Sequence, residues 1–261
     1  MQLRVFQLDA FAGQVFGGNP AVVVCLKDWL GDATLVAIAR EHNISTTAFL
    51  CESGDDFEIR YFLPIGELPL VGHASLAAAH VLLRMLRPGL ESLTVRRRTG
   101  ALQISTAENG AVAIALPAAP AEVCAVPKGL AAALGVPISE VRVNDAQYFA
   151  LLESEAAVAG LAPDMPALMR LDRDGVVVTA RGEDCDFVSR AFAPKEGLPE
   201  DPVCGSAHLA LAPFWAGRLG KGRLRALQLS PRGGELHCAL EGDRVRLAGQ
   251  CTLYMEGTIN L

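Results

Sequence analysis

Two short stretches decide the fold: "PLVGHASLA" at residues 69–77 and "PVCGSAHLA" at residues 202–210. Pro, Gly, Ala, Leu and Ala recur in both at an offset of 133 residues. Just upstream, "RYFLP" at 60–64 and "RAFAP" at 190–194 repeat Arg, Phe and Pro at an offset of 130. Two matches in the same order indicate an internal duplication, so the sequence predicts two similarly folded halves.

The junction between the halves is expected where prolines cluster, in "LPAAPAEVCAVPKG" at residues 116–129. We therefore place an N-terminal domain at residues 1–118 and a C-terminal domain at residues 119–261. The last strand is expected to be able to pair back onto the first half.

Each repeated glycine is expected to open a helix, one from about His73 to Leu86 and one from about Ser206 to Arg218. Pro213 should distort the second of these helices. Weaker helical patterns occupy residues 32–43 and 127–135, and most of the remaining segments read as strands. The predicted fold class is α+β.

Composition excludes several classes of protein. Hydrophobic residues make up 51% of the 261 residues and charged residues 20%, which favours a folded core over disorder. The net charge is −6 and the basic run "RRR" at 96–98 is expected to be a solvated strand face, so nucleic acid is not an expected partner. No stretch reaches the roughly 18 apolar residues of a membrane helix.

The seven cysteines are scattered without a CxxC spacing, which argues against a disulfide framework and a zinc ribbon. The N-terminal residues read as a strand and lack a signal pattern. We therefore expect a reduced, cytoplasmic protein.

The two glycine-led helix starts predict an anion site. The first N–H groups of a helix have no intrahelical partner, and the macrodipole adds a partial positive charge there. Such ends bind carboxylate or phosphate, so two facing ends could hold one small anionic substrate. Polar and reactive residues cluster beside the glycines: His73, Asp201, Cys204, Ser206 and His208. The alternative, in which Gly72 and Gly205 are only turn residues, stays open.

Longer motifs in order along the chain identify a family resemblance. They are "DAFAGQVFGGNPAVVV" at 9–24, "IAREHNISTTAFL" at 38–50, "IRYFLPIGELPLVGHASLAAAHVL" at 59–82, "FAPKEGLPEDPVCGSAHLALAPFWAGRLGK" at 192–221 and "LSPRGGEL" at 229–236. With these motifs the chain resembles the PhzF family of phenazine biosynthesis-like isomerases, in the diaminopimelate epimerase and proline racemase superfamily. The resemblance implies two domains, each a curled, barrel-like sheet around a central helix. It further implies an active site between them, no metal or other cofactor, and a homodimer.

The resemblance also implies roles for individual residues. The candidate catalytic residues are Thr46, His73, Asp201 and Cys204, and the candidate substrate-binding residues are Gly72, His73, Gly205 and Ser206. The sequence departs from the family pattern in "NISTTAFL", because Thr46 stands where the family has its proton-carrying glutamate. A threonine hydroxyl is no comparable base near neutral pH, although it could donate a hydrogen bond or orient a water molecule.

Two roles are open for Cys204. Its position resembles that of the second catalytic cysteine in the epimerase and racemase branch, but the matching position in the first half is Val71. A thiol at a helix N-terminus is expected to have a lowered pKa, whereas the neighbouring Asp201 would raise it. Cys204 is therefore either a proton-transfer group or a small residue that lines or packs the site. His80, His208 and His237 are expected to be structural.

These residues favour a cofactor-independent isomerase or epimerase that moves a proton next to the carboxylate of a small acid. One alternative is a one-cysteine dehydratase, a lyase that removes a proton and expels hydroxide. A second alternative is a non-catalytic carboxylate-binding protein that lost its chemistry with the glutamate.

Overall fold

The computed structural model describes residues 1–54 and 56–261. The chain forms two compact units, one made of Met1–Leu116 with Arg246–Leu261 and the other of Pro117–Val245. The boundary between the units at Leu116 and Pro117 falls two residues before the boundary between residues 118 and 119 that the sequence predicts. The C-terminal segment returns to the first unit, where it pairs with the N-terminal strand.

The strands, in chain order, are β1 (Gln2–Ala10), β2 (Asn19–Leu26), β3 (Thr47–Ser53), β4 (Asp56–Leu63), β5 (Gly66–Leu68), β6 (Ser92–Arg97), β7 (Gly100–Thr106), β8 (Val112–Pro117), β9 (Glu122–Cys124), β10 (Glu140–Val143), β11 (Gln147–Leu151), β12 (Gly175–Arg181), β13 (Phe187–Ala193), β14 (Leu198–Asp201), β15 (Arg223–Gln228), β16 (Gly234–Glu241), β17 (Arg244–Gly249) and β18 (Cys251–Asn260). The α-helices are α1 (Asp32–His42), α2 (Gly72–His80), α3 (Leu130–Leu134), α4 (Glu155–Ala159), α5 (Met165–Leu168) and α6 (Gly205–Leu219). Short 3₁₀ turns lie at Glu108–Gly110 and Pro194–Glu196, and a π-helical segment at Val81–Leu86.

Both units pair their strands in the same order. The first unit runs β18–β1–β2–β3–β4–β6–β7–β8, with β5 added at the end of β4. The second runs β9–β10–β11–β12–β13–β15–β16, with β14 added at the end of β13. The parallel pairs fall at matching places, β2 with β3 and β4 with β6 against β11 with β12 and β13 with β15. The predicted α+β class and the duplication of the fold are confirmed.

Helix α2 is the centre of the first unit. All seven residues from His73 to Ala79 are buried, so the helix has no solvent-facing side over this length. It contacts β1, β2, β3, β7 and β18, which come from the ends of the sheet as well as its middle. The sheet therefore curls around the helix. Alanine at four of the seven buried positions allows this close approach, because larger side chains would exceed the space of a packed interior.

The predicted helices are present, with differences at two points. The first continues beyond His80 as a π segment, in which Arg87 N donates to Leu82 O at 2.8 Å. The second passes through Pro213 without a break. Pro213 has no N–H to offer Leu209 O, and that oxygen instead accepts from Ala119 N at 3.0 Å. A donor from another segment thus replaces the bond that proline removes.

The duplication extends to a pair of side chains. In the first unit, Arg60 donates through Nε and Nη2 to the two carboxylate oxygens of Glu67, at 2.9 and 2.8 Å. In the second, Arg190 donates in the same way to Glu200, at 2.7 and 2.9 Å. Each pair ties a central strand to the short strand that leads towards the central helix.

The remaining features bear on what the protein can bind. All seven cysteines lie in the described residues and are free thiols. Within residues 1–54 and 56–261, no helix is both long and apolar enough to cross a membrane. The same residues contain no cluster of three or more His, Cys, Asp or Glu side chains arranged to hold a metal ion.

Replacing Arg190 with methionine is expected to destabilise the protein strongly. Arg190 is 9% exposed, and its guanidinium also donates to the Val158, Ala159 and Leu161 carbonyl oxygens. Removing it leaves Glu200 uncompensated, at a cost of about 3–5 kcal/mol in the free energy of unfolding measured with urea. The control is Arg4→Met, which breaks the exposed Arg4–Glu256 pair and should cost less than about 1 kcal/mol. Equal losses of unfolding free energy in Arg190→Met and Arg4→Met would contradict a stabilising role for the buried Arg190–Glu200 pair.

Candidate active site

His73, the second residue of α2, is held by a neighbour that the sequence analysis did not identify. Its Nε2 lies 3.3 Å from Ser45 Oγ, and Ser45 Oγ donates to Pro20 O at 3.1 Å. Because the Ser45 proton is committed to that carbonyl, Nε2 is the protonated nitrogen and Nδ1 carries the lone pair. The imidazole is 7% exposed, and burial lowers its pKa to about 3. His73 is therefore neutral at physiological pH.

Thr46 follows Ser45 directly, so the Ser45–His73 contact brings Thr46 and His73 into one locality. Thr46 is 2% exposed, and its carbonyl oxygen accepts from Val22 N at 3.0 Å. The backbone at this point is thus anchored to β2 just before β3 begins. Its hydroxyl offers a donor and an acceptor but no ionisable group near neutral pH.

The start of α2 is fixed from inside the core. Ser75 N and Ser75 Oγ both donate to Val71 O, at 2.9 and 2.7 Å. Since the Ser75 proton is used there, the Tyr61 hydroxyl donates to Ser75 Oγ at 2.6 Å. These contacts occupy the carbonyl that precedes Gly72. The first amide N–H groups of the helix still have no intrahelical partner, which is the feature that favours an anion.

The start of α6 has the same construction with different side chains. His208 Nδ1 donates to Cys204 O at 2.8 Å, as Ser75 does to the carbonyl of Val71, its counterpart at the offset of 133. The His208 ring is fully buried and lies against Phe187, with ring centroids 5.7 Å apart. Burial lowers the pKa of His208 to about 4. His208 thus has the structural position expected of it.

The sequence left two opposing effects on the pKa of Cys204, a helix end that lowers it and Asp201 that raises it. In the structure the raising effects prevail: burial, followed by the charge of Asp201, raises the pKa of the thiol to about 12. The side chain is 6% exposed, and its Sγ lies 3.3 Å from Ser206 Oγ. The thiol is therefore protonated at neutral pH, because burial disfavours the charged thiolate.

Asp201, Gly205 and Ser206 lie around the same helix start. Asp201 ends β14, pairs with Ala191 of β13 and is partly exposed. Gly205 is the first residue of α6, and Ser206 is exposed. In the second unit the structure thus brings together Asp201, Cys204, Gly205 and Ser206, and in the first unit Thr46, Gly72 and His73. That both sets contact one substrate stays a prediction from the repeat.

Comparison with known structures assigns the fold to a class. A crystal structure of a PhzF-family phenazine biosynthesis protein from Enterococcus faecalis is 40% identical, covers 100% of both chains and superposes with a TM-score of 0.96. A hydroxyproline epimerase from Agrobacterium vitis, at 12% identity and a TM-score of 0.64, covers 99% of this chain and 92% of its own, and is alike in fold alone. The fold is that of the epimerase and racemase class.

The sequence comparisons then identify the family. A family model described as "Phenazine biosynthesis-like protein" matches residues 8–257. Two uncharacterized isomerases of Pseudomonas aeruginosa are 48% identical over 262 residues and 46% identical over 261 residues, each with 100% of both chains covered. The chain belongs to the PhzC-PhzF family, and relatives of this chain are named isomerases.

Stability is expected to fall from about pH 6.5 down to about pH 4 for the His208 contribution and to about pH 3 for that of His73. Burial depresses the pKa of His73 and of His208 below the unfolded value, so the folded state favours the neutral rings. This stabilisation is complete above the unfolded pKa and is lost as the pH falls, by about 2 kcal/mol for each ring at about pH 5. Urea unfolding at about pH 7.5 and pH 5 measures it.

The matched variants separate this effect from general acid unfolding. His208→Gln retains a donor for Cys204 O but cannot titrate, so it should lose the part of the pH slope that the His208 ring contributes, while His42, His73 and His80, whose pKa values are also lowered, keep theirs. His237→Gln, at a position 58% exposed in its side chain, is the control for the substitution of a histidine outside the core. An unchanged slope in His208→Gln would show that this ring does not titrate on unfolding.

Cys204 is expected to react slowly with alkylating reagents. The thiolate is the reactive form, and a buried thiol whose pKa is about 12 forms almost none at neutral pH. Cys25 and Cys124 are partly exposed and should be modified first, as mass spectrometry of timed iodoacetamide reactions would report. Cys204→Ala should keep any turnover. Rapid modification of Cys204 ahead of these two residues would restore the catalytic role for the thiol.

Proposed function

We propose that the protein is a cofactor-independent isomerase or epimerase that moves a proton next to the carboxylate of a small acid. One observation carries the proposal. A glycine-led helix start recurs in both units, and in each the carbonyl before the glycine accepts a hydrogen bond from a side chain four residues later. Polar side chains of different chemistry stand beside each helix start. An acid held by two such ends would gain support for the negative charge that develops when a carbon-bound proton leaves.

The first unit would supply hydrogen bonds without charge. His73 is neutral, and Gly72 allows the backbone to approach the substrate closely. With its Nε2–H directed at Ser45, the neutral ring keeps only the Nδ1 lone pair, which can accept a hydrogen bond and adds no charge to the site. Thr46 would contribute a hydroxyl at the place where the family has its glutamate.

The second unit would supply the proton carrier. Asp201 is the one carboxylate among the candidate site residues, and Cys204 does not ionise near neutral pH. We assign the proton transfer to Asp201, assisted by the amide N–H groups of Gly205 and Ser206. A positioned acid or base of this kind typically accelerates a reaction about 10²–10⁴-fold.

The alternatives differ in how the structure bears on them. The raised pKa of Cys204 speaks against a dehydratase that uses this thiol as its base. A non-catalytic carboxylate-binding protein is favoured by one observation, the hydroxyl at Thr46 in place of a carboxylate. The homodimer and the cytoplasmic location stay predictions from the sequence.

Thr46→Glu is expected to raise proton exchange on a small carboxylic acid. The carboxylate would restore the base that the family pattern has at this position. The measurement is deuterium incorporation from heavy water into a panel of 2-amino, 2-hydroxy and unsaturated acids, followed by mass spectrometry and NMR. An increase of at least about tenfold over the wild type is expected.

Two controls complete the design. Thr46→Gln has the shape of glutamate without its charge and should not raise exchange, whereas Asp201→Asn alone should abolish the exchange of the wild type. Wild-type exchange that survives Asp201→Asn would remove Asp201 from the proton transfer. Binding of panel acids without exchange in any variant would favour the non-catalytic alternative, and loss of water from an acid would favour the lyase.

A further inference from the structure

Gln228, the last residue of β15, binds the loop that leads into α6. Its Oε1 accepts from Cys204 N at 2.9 Å, and its Nε2 donates to Asp201 O at 2.6 Å. The side chain is 1% exposed. A backbone N–H only donates and a carbonyl oxygen only accepts, so the two partners settle which end of the amide is oxygen. One side chain thus satisfies two backbone groups in the same loop.

A second contact holds the same loop. Ser230 Oγ donates to Pro202 O at 2.7 Å. Asp201, Pro202 and Cys204 are therefore all tied to the end of β15 or to the residues just after it. These bonds occupy the Cys204 N–H and two loop carbonyls, whereas the amides of the first helical turn keep no intrahelical partner.

The first unit has a contact at the equivalent place. In the parallel pairing of β13 with β15, Gln228 stands opposite Ser189, and in that of β4 with β6, Arg97 stands opposite Ile59. Ile59 and Ser189 are related by the offset of 130, so Arg97 is the counterpart of Gln228. Its Nη1 donates to Pro69 O at 3.4 Å.

The arginines on either side of Arg97 form ion pairs with carboxylates and do not serve as the counterpart of Gln228. Arg96 pairs with Asp56 and Glu58, and Arg98 pairs with Glu67. Pro69 is itself the counterpart of Pro202 at the offset of 133. In the second unit the matching carbonyl, Pro202 O, accepts from Ser230 rather than from Gln228. The same strand position thus contacts the loop before the helix in each unit, but through different atoms of that loop.

We propose that Gln228 is a positioning residue of the candidate site, which holds Asp201 and the start of α6 in the geometry that the substrate meets. The role rests on the proposed function, because Asp201 is the proton carrier assigned there. Gln228 does not touch the reacting atoms. It acts through the loop backbone, and a displacement of about 1 Å in such a group can cost about 10²-fold in rate.

Amide hydrogen exchange tests the loop directly, without any substrate. In Gln228→Leu, which removes both hydrogen bonds at similar volume, the backbone N–H groups of Asp201 and of residues 203–206 should exchange at least about tenfold faster relative to those of β13. The matched control is Thr179→Val. It removes a buried hydroxyl of the same unit that donates to Val188 O at 2.7 Å and accepts from Trp215 Nε1 at 2.9 Å. This control should destabilise the unit without a selective effect on the loop.

The wild type provides a test that does not depend on the variant folding. Cys204 N–H lies before the helical ladder, yet it should exchange slowly because Gln228 accepts its proton. Exchange of this amide at the rate of an exposed backbone group would overturn the proposal. Equal acceleration of the loop in Gln228→Leu and Thr179→Val would also overturn it.

Kinetics on any acid that the wild type exchanges complete the test. Gln228→Leu should lower kcat by about 10–100-fold with KM changed less than about threefold, and Thr179→Val should leave both nearly unchanged. An unchanged kcat in a variant whose loop exchanges faster would rule out positioning. If the loop result holds and the wild type exchanges no acid, the proposed function fails while the hold of Gln228 on the loop stands.

Discussion

A helix that is enclosed on every side can meet polar surroundings only at its ends. Helix α2 is in this position, because the sheet curls around it and buries every residue from His73 to Ala79. The amide N–H groups of its first turn cannot be paired within the helix, and burying them unpaired would cost free energy. The fold therefore concentrates hydrogen-bond donors at Gly72 and, by duplication, at Gly205. The location of the candidate site follows from this constraint.

The two units share the same hydrogen-bond contacts at several places where their amino acids differ. The Arg60–Glu67 pair recurs as Arg190–Glu200 with the same bidentate geometry. The carbonyl before each helix accepts from a side chain four residues later, a serine hydroxyl in one unit and an imidazole in the other. The backbone arrangement is common to both units, whereas the side chains at the helix starts differ.

Burial decides the charge state of this site. His73 and His208 are neutral and the Cys204 thiol is protonated, because each would have to carry its charge in a desolvated position. A paired-thiol mechanism is therefore unsuited to this chain, because the residue that matches Cys204 at the offset of 133 is Val71, which has no thiol. Asp201 is the one carboxylate among the candidate site residues, and it is partly exposed.

The amino-acid sequence by itself determined the α+β class, the duplication, the two glycine-led helix starts and the family. These features can be read from the sequence because they depend on the periodic spacing of apolar residues and on short motifs that are contiguous along the chain. Tertiary structure alone decided three others: the raised pKa of Cys204, the contact of Ser45 with His73, and the hold of Gln228 on the Asp201 loop. Each depends on which distant side chain or carbonyl comes within hydrogen-bond distance and on how much water is excluded. Local sequence carries neither quantity, because both arise only when the sheet closes around its helix.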